Sequence, residues 1–186
     1  KASWDEQGAA DTSGQMTIIE AEDATKKSTQ MLYPIQDQST PAVTPYSAKC
    51  LLNNTIGGTN WQNAGKWMEW KFDVPESGYY DISMYVKQNF IQGIPINRKI
   101  TIDGNVPFEE FDAYQFNYDG DWRMDTLTGK DGEPYKVYLE KGTHTIRMEV
   151  VLGEFSKIID RIEDVIQELN AIYRKVIRIT GVAPDG

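Results

Sequence analysis

The fold is decided by the stretch WMEWKFDVPESGYYDISMYV, which runs from Trp67 to Val86. From Met68 to Val74 its residues alternate between apolar and charged side chains, the period of a strand with one buried face. The apolar set is Met68, Trp70, Phe72 and Val74, and the charged set is Glu69, Lys71 and Asp73. The following Pro-Glu-Ser-Gly has the composition of a turn. Alternation then resumes with Tyr80, Ile82, Met84 and Val86, so we predict two antiparallel neighbouring strands.

The same pattern recurs on both sides of this stretch. A predicted strand from Met16 to Glu22 opens the chain, and Lys99 to Ile102 leads into the turn pair Asp103-Gly104. Tyr135 to Leu139 and Thr145 to Val151 form a further strand, turn and strand. Short strands that are separated by Gly and Asp turns, without helices between them, indicate a β-sandwich or jelly roll.

The period changes near Gly153 from two to between three and four. The charged residues between these apolar positions fall on the opposite face, which predicts one long amphipathic helix. Its apolar stripe is too long to leave in water, so it must cover the sandwich, another domain or another copy of itself. The stripe comprises Phe155, Ile158, Ile159, Ile162, Val165, Ile166, Leu169, Ile172, Tyr173 and Val176.

Composition limits the domain organisation and the partners. We predict a disordered linker at 1–15, the sandwich at 16–152, the helix at 153–180 and a linker at 181–186 to a further domain downstream. With 19 basic and 28 acidic residues the net charge is −9, which disfavours nucleic acid as a partner. No apolar run is long enough for a membrane span in this segment. The single cysteine, Cys50, lies in an apolar run and is predicted to be a small buried hydrophobe.

Four short motifs resemble the family 6 and family 35 type of carbohydrate-binding module. They are IEAEDA at 19–24, NAGKWMEW at 63–70, VPESGYY at 74–80 and LEKGTHTI at 139–146, in order along the chain. The resemblance implies a galactose-binding-domain-like sandwich that is secreted by a bacterium to the cell surface or beyond and binds poly- or oligosaccharide. It covers roughly 16–151.

The C-terminal part departs from that family. Such modules usually finish with a short strand that carries an Asn and an Asp, whereas this chain enters a helix, so family ligands from the last strand are in doubt. The combination of sandwich with residues 169–181 also resembles the N-terminal region of some large bacterial extracellular solute-binding proteins of sugar importers. In that setting the domain would be structural, and the helix would be its docking surface.

Sugar rings present a flat patch of C–H groups surrounded by hydroxyls, so a binder needs exposed aromatic rings beside amides or carboxylates. Trp61 is the strongest candidate because its polar loop is an unusual place for a core tryptophan. The alternative is that its ring caps the end of the sandwich. The loop residues that meet the requirement are Tyr33, Tyr46, Trp61 with Asn60 and Gln62, and Trp122 with Asp121.

Two amides extend this predicted rim. Gln88 and Asn89 follow a core strand and precede a loop with Gly and Pro, so they can face the same ligand. The alternative is that they hydrogen-bond to the backbone of their own loop. Trp70 and Tyr80 belong to strand patterns and are predicted core residues.

A metal site is predicted near the start of the sandwich. On a strand, Glu20 and Glu22 point to the same face, and two close carboxylates favour a cation between them. The resemblance implies that they hold a structural calcium together with a carbonyl near Ala48 or Lys49 and an acidic group that we cannot locate. A solvated acidic strand edge is the alternative.

Enzymatic chemistry finds little support in the residues. The only histidine, His144, falls in a predicted strand, and no zinc site or catalytic triad can be assembled around it. Glycoside hydrolysis by paired carboxylates would need an arbitrary choice among many acids. We therefore expect a non-catalytic carbohydrate-binding module, with the docking domain as the alternative.

Overall fold

The computed structural model describes residues 14, 16–37, 39, 53–90 and 92–180, the last five by their backbone alone. Within these residues there are eleven strands and one α-helix. The strands are β1 (Lys26–Lys27), β2 (Pro34–Ile35), β3 (Thr55–Ile56), β4 (Trp67–Val74), β5 (Gly78–Asp81), β6 (Ser83–Gln88), β7 (Ile96–Ile102), β8 (Tyr114–Phe116), β9 (Asp119–Thr126), β10 (Lys136–Leu139) and β11 (Gly142–Val151). The helix, α1, is Phe155–Thr180.

The strands form one large antiparallel sheet and three short ladders. The large sheet has the order β1-β4-β11-β7-β8, and the ladders pair β10 with β5, β2 with β3 and β6 with β9. The core lies between the large sheet and the ladders. Its buried residues include Met68, Trp70, Ile100, Ile146 and Met148 from the large sheet and Val137 and Leu139 from β10. The predicted mostly-β sandwich with a C-terminal helix is confirmed.

Strand β4 shows the predicted alternation. Met68, Trp70 and Val74 are buried and Phe72 is half-buried, whereas Lys71 is exposed. Burial of each large apolar side chain contributes about 1.5–3 kcal/mol. Glu69 departs from the pattern because it is also buried, although it lies on the outward face.

The predicted pairing of the strands on either side of the Pro75–Gly78 turn is wrong. Strand β4 pairs with β1 and β11, whereas β5 pairs with β10, and Ser83–Gln88 is a separate strand that pairs with β9. The turn therefore carries the chain from one sheet to the other. Two strands that each have one apolar face can bury both faces by facing each other across the core. Alternation alone does not distinguish this arrangement from a hairpin.

Two further predictions have mixed outcomes. Strands β10 and β11 are present but lie in different sheets. The Asp103-Gly104 turn is confirmed: both residues have positive φ, 50° and 80°, as a type I′ turn requires.

The predicted first strand, Met16 to Glu22, is absent. Residues 16–20 have no regular structure, and Ala21–Asp23 is a single 3₁₀ turn. Side-chain hydrogen bonds, and not a β-ladder, hold this segment to the sandwich. Trp70 Nε1 donates to the Ala21 carbonyl at 2.8 Å, and Thr17 Oγ1 donates to the Asp73 carbonyl at 3.0 Å.

The predicted helix is confirmed. The chain divides into two units, Lys1–Val151 and Leu152–Gly186, and α1 forms the second. Its 26 residues span about 39 Å. In the part of the chain that the structure describes, no helix combines the length and apolarity needed to cross a bilayer.

Candidate functional site

An aromatic pair lies on the outward face of the β6–β9 ladder. The rings of Tyr85 and Trp122 are nearly parallel, 8° apart, with centroids separated by 5.6 Å. Met84 and Val86 pack against the core, so strand alternation turns Tyr85 outward. Met124 pairs directly with Tyr85 across the ladder and exposes 65% of its surface. Together these side chains present an aromatic and thioether surface to solvent.

The edge of this surface is charged because Asp37 reaches it from the end of β2. The Asp37 carboxylate accepts a hydrogen bond from Trp122 Nε1 at 3.0 Å, and Lys87 Nζ lies 3.7 Å from the same oxygen. The other carboxylate oxygen accepts the Ser39 backbone N–H at 2.7 Å. We call Asp37, Tyr85, Lys87, Trp122 and Met124 the Trp122 cluster.

The backbone of Asp37 is itself fixed by a buried amide. Asn54 donates to the Asp37 carbonyl and accepts from the Asp37 N–H, both at 2.9 Å. Asn54 is only 5% exposed, so this pair of hydrogen bonds fixes the backbone that carries the Asp37 carboxylate. Trp122 is thereby held in one orientation before any ligand arrives.

The Asp37 carboxylate is ionised at neutral pH. Partial burial acts to raise its pKa, but hydrogen bonds from Ser39 and Trp122 and the charge of Lys87 together lower the pKa below the ordinary aspartate value. The cluster therefore offers an anionic acceptor and an ammonium donor beside an apolar ring surface. These are the groups that a pyranose ring and its hydroxyls require.

Of the predicted binding residues, Trp122 belongs to this cluster, although it and Asp121 lie within strand β9 and not in the predicted loop. Asp121 is exposed, and alternation along β9 directs its side chain to the opposite face of the strand from Trp122. Tyr33 is 53% exposed and directly precedes β2. Tyr46 lies outside the described residues.

Trp61 occupies a different environment. Its half-buried ring meets Trp70 edge-on at 6.4 Å, the Arg98 guanidinium carbon lies 4.6 Å from its centroid, and Nε1 donates to the Lys66 carbonyl. Arg98 is itself buried, which lowers its pKa to about 10, and it donates to the Trp61 carbonyl at 3.1 Å. These contacts favour the capping alternative for Trp61. Beside it, the Asn60 carbonyl accepts from Lys66 Nζ, and Gln62 is exposed.

The two predicted rim amides differ in their surroundings. Gln88 is 3% exposed; its Nε2 donates to the Ile94 carbonyl at 2.7 Å, and its Oε1 accepts the Phe90 N–H at 3.0 Å. This side chain holds its own loop, which is the alternative considered above. Asn89 is exposed and remains a candidate for ligand contact.

The predicted calcium ligands are not on a strand. Glu20 precedes the 3₁₀ turn and Glu22 lies within it. Partial burial raises the pKa of Glu22, and the charges of Glu20 and Asp23 add to this rise, whereas a backbone hydrogen bond opposes it. Among the described residues no three His, Cys, Asp or Glu side chains are grouped closely enough to hold a metal. Ala48 and Lys49 lie outside those residues, and calcium stays a prediction.

His144 fixes a turn. Its Nδ1 pairs with the Asp103 carboxylate at 2.6 Å, its Nε2 lies 2.7 Å from the Glu140 carbonyl, and Asp103 also accepts the Thr145 N–H. Only the imidazolium can donate at both nitrogens. Burial acts to lower the pKa of His144, but these two acceptors outweigh it and raise the pKa.

A raised histidine pKa predicts a pH-dependent stability. The contribution of His144 is complete below the unfolded-state pKa of about 6.5 and is lost as pH rises through the folded-state pKa. We expect the melting temperature of the chain to fall relative to that of His144→Gln by roughly 1–3 °C between pH 5.5 and 8.5. Melting both proteins across that range measures this, and parallel curves would contradict it.

Among the cluster members that the sequence analysis did not identify, Asp37 and Lys87 have no recognisable sequence pattern, whereas Tyr85 has a weak one. Tyr85 occupies a position on the polar face of an alternating strand, where an aromatic residue is unusual. Asp37 and Lys87 carry no local pattern, because Asp37 meets Trp122 across 85 residues of chain.

Comparisons with known proteins extend the description of the fold. No family model matches the chain, and no match was found among curated proteins. A cycloisomaltooligosaccharide glucanotransferase from Paenibacillus sp., solved with cycloisomaltoheptaose, has a TM-score of 0.50 and 21% identity over 73% of this chain. The match spans only 16% of that enzyme. At this identity the likeness shows the fold alone.

Two other solved structures score lower. A family 35 carbohydrate binding module from Clostridium thermocellum has a TM-score of 0.49 and 18% identity, over 74% of this chain and 88% of the module. A ruminal GH26 endo-beta-1,4-mannanase has a TM-score of 0.33 and 19% identity, over 65% of this chain and 23% of the enzyme. Neither likeness is strong enough to add to the fold assignment.

Proposed function

We propose that the chain is a non-catalytic carbohydrate-binding module that holds a poly- or oligosaccharide on the Trp122 cluster. The observation that carries this proposal is the stacked Tyr85–Trp122 pair on the outward face of the sandwich, with the indole N–H tied to Asp37. A sugar ring stacks its C–H face on the aromatic and Met124 surface. No bond is made or broken.

Preorganisation of the cluster supports this function. The Asp37 bond and the Tyr85 stack restrict the Trp122 rotamer, so little side-chain entropy is lost on binding. Asp37 and Lys87 lie at the edge of the rings and can accept from and donate to adjacent hydroxyls. A carbohydrate ligand is also consistent with the likeness to the glucanotransferase, which was solved with the cyclic oligosaccharide cycloisomaltoheptaose.

The module is proposed to act outside the cell, on the surface or in the medium of a bacterium, where polymeric glycans are found. The second candidate, a docking domain of a solute-binding protein, is favoured by one observation: the apolar residues of α1 are exposed. A glycan array followed by calorimetry separates the two. If no glycan binds at millimolar concentration, the docking function replaces the module.

Calcium is proposed as a structural ion at the 3₁₀ turn, held by Glu20 and Glu22 with oxygen ligands from the 48–49 region that the resemblance implies. Hard, anionic oxygen ligands are the donors that calcium takes. Glu22 is partly buried beside the charges of Glu20 and Asp23, and a bound cation would offset both of these unfavourable effects. A bound ion would tie this segment, which lacks ladder bonds, to the sandwich.

Removal of calcium is expected to lower the melting temperature. Saturation at about 100 times the dissociation constant stabilises by about 2.7 kcal/mol, which corresponds to roughly 5–10 °C for a chain of this size. Melting with calcium and with a chelator measures the shift. Glu22→Gln should abolish it, and Glu133→Gln, an exposed acid in a distant turn, should keep it. An identical midpoint with and without chelator removes Glu20 and Glu22 from the site.

A further inference from the structure

Helix α1 carries a strict heptad pattern. Apolar residues alternate at spacings of three and four over three heptads, which is the signature of a coiled-coil seam. The a positions are Phe155, Ile162 and Leu169, and the d positions are Ile158, Val165 and Ile172. The e positions, Ile159, Ile166 and Tyr173, widen the stripe along one side.

These side chains are exposed in the structure. Ile162 exposes 53% of its surface, Leu169 59% and Ile172 56%. In proteins, most of the stability of an amphipathic helix comes from packing of its apolar face rather than from helix propensity. The stripe therefore calls for an apolar partner of matching length.

The charges beside the seam indicate which partner fits. The g positions carry Arg161, Glu168 and Lys175, and Glu154 stands at the same phase just before the helix. None of these four takes part in an ion pair within the described chain. They alternate in sign along the g edge of the seam.

An antiparallel pair of identical helices brings the g edges of both together, with a residues facing d residues. When Ile162 faces the partner's Val165, Arg161 lies beside the partner's Glu168. In the same register Glu154 lies beside the partner's Lys175. The two-fold symmetry repeats both contacts, so all four g pairs are of opposite charge.

The other arrangements lack this complementarity. If the two antiparallel helices are shifted by one heptad so that more of their length overlaps, Arg161 lies beside the partner's Lys175. The two Glu168 side chains then lie beside each other, so like charges meet. A parallel pair brings g beside e, and all three e positions are uncharged. Charge therefore distinguishes one register of one orientation.

We propose that α1 is a self-association element through which two copies of this chain pair antiparallel, with Ile162 facing the partner's Val165. The apolar e row lies along the far edge of this pair, and two pairs that bury it together form a four-helix bundle. This goes beyond the proposed glycan binding: each assembly carries two or more copies of the Trp122 cluster, which raises avidity for a polymeric ligand.

The test measures the mass of the 186-residue chain by sedimentation over a range of concentration and salt. A dimer or tetramer is expected. Glu168→Arg converts two attractive pairs into two repulsive ones and should weaken association by about tenfold or more. Arg161→Glu should do the same. An equimolar mixture of the two variants restores every pair and should associate as tightly as the parent.

The double variant, Arg161→Glu with Glu168→Arg, tests the register, because it restores all pairs only where Arg161 meets the partner's Glu168. Asp160→Arg, on the outward face with the same change in charge, is the control and should leave association unchanged. A monomer at all soluble concentrations overturns the proposal. So does association that resists both reversals, or a double variant that remains weak. Circular dichroism confirms that each variant keeps its helix and its sandwich.

Discussion

We expect Trp122→Ala to weaken glycan binding strongly while the sandwich stays folded, and Trp61→Ala to destabilise the sandwich while glycan affinity changes little. Trp122 presents its ring on the outward face beside Tyr85, so its loss removes the stacking surface. We expect affinity to fall by about 30-fold or more, equivalent to about 2 kcal/mol, as for a central aromatic contact. Calorimetry with the best glycan from an array measures this.

Trp61 is the matched control because it is the same residue type in a packed setting. Its removal deprives Trp70 of an edge contact and leaves the buried Arg98 without its ring, so unfolding should become easier by about 2–3 kcal/mol. Affinity per folded molecule should change little. If glycan binding instead depends on Trp61 and tolerates the loss of Trp122, the binding site lies at the Trp61 loop, as the sequence predicted.

Arg147→Ala should destabilise the sandwich by about 2–3 kcal/mol, more than a surface ion pair is worth. Arg147 donates twice to Glu69 Oε2, at 3.0 and 2.7 Å, and Lys26 contacts the other oxygen at 3.1 Å. The Glu69 side chain is only 8% exposed, so its charge would be left with one cation. The Arg147 guanidinium also covers the Trp67 ring at 4.0 Å, and this contact is lost.

Lys99→Ala serves as the control, since the Lys99–Asp112 pair is exposed and should contribute less than about 1 kcal/mol. Urea unfolding measures both variants. The hydrogen bonds from Arg147 chiefly lower the pKa of Glu69. A lowered carboxyl pKa adds stability above the unfolded-state pKa of 4.5, which is lost as pH falls through the folded-state value. The difference between parent and Arg147→Ala should therefore shrink in acid, and a constant difference would contradict the assignment.

The alternating pattern predicted which segments are strands far better than it predicted their partners. Strand β4 and its buried face follow directly from period two. Its neighbours do not, because the turn at Pro75 can either fold a strand back beside β4 or carry it across the core. Both solutions bury the same apolar faces, and only the packing of the whole sandwich selects the second.

The candidate site was predicted in part for the same reason. Trp122 was identified by its residue type, yet its ring is positioned by Asp37, which stands 85 residues away and is fixed by Asn54. Trp61 satisfied every local criterion for a sugar-binding residue, but its ring packs against Trp70 and Arg98. Residue type and loop composition do not predict which face of an aromatic ring remains exposed to solvent.

By itself the sequence determined the fold class, the central strand, the Asp103-Gly104 turn and helix α1 with its heptads, because these depend on periods and φ preferences that a short window contains. Only the tertiary structure decided the exchange of strands between sheets, the burial of Glu69 and the assembly of the Trp122 cluster. Each of these joins residues far apart in the chain, and their contact energies exist only once the sandwich has closed.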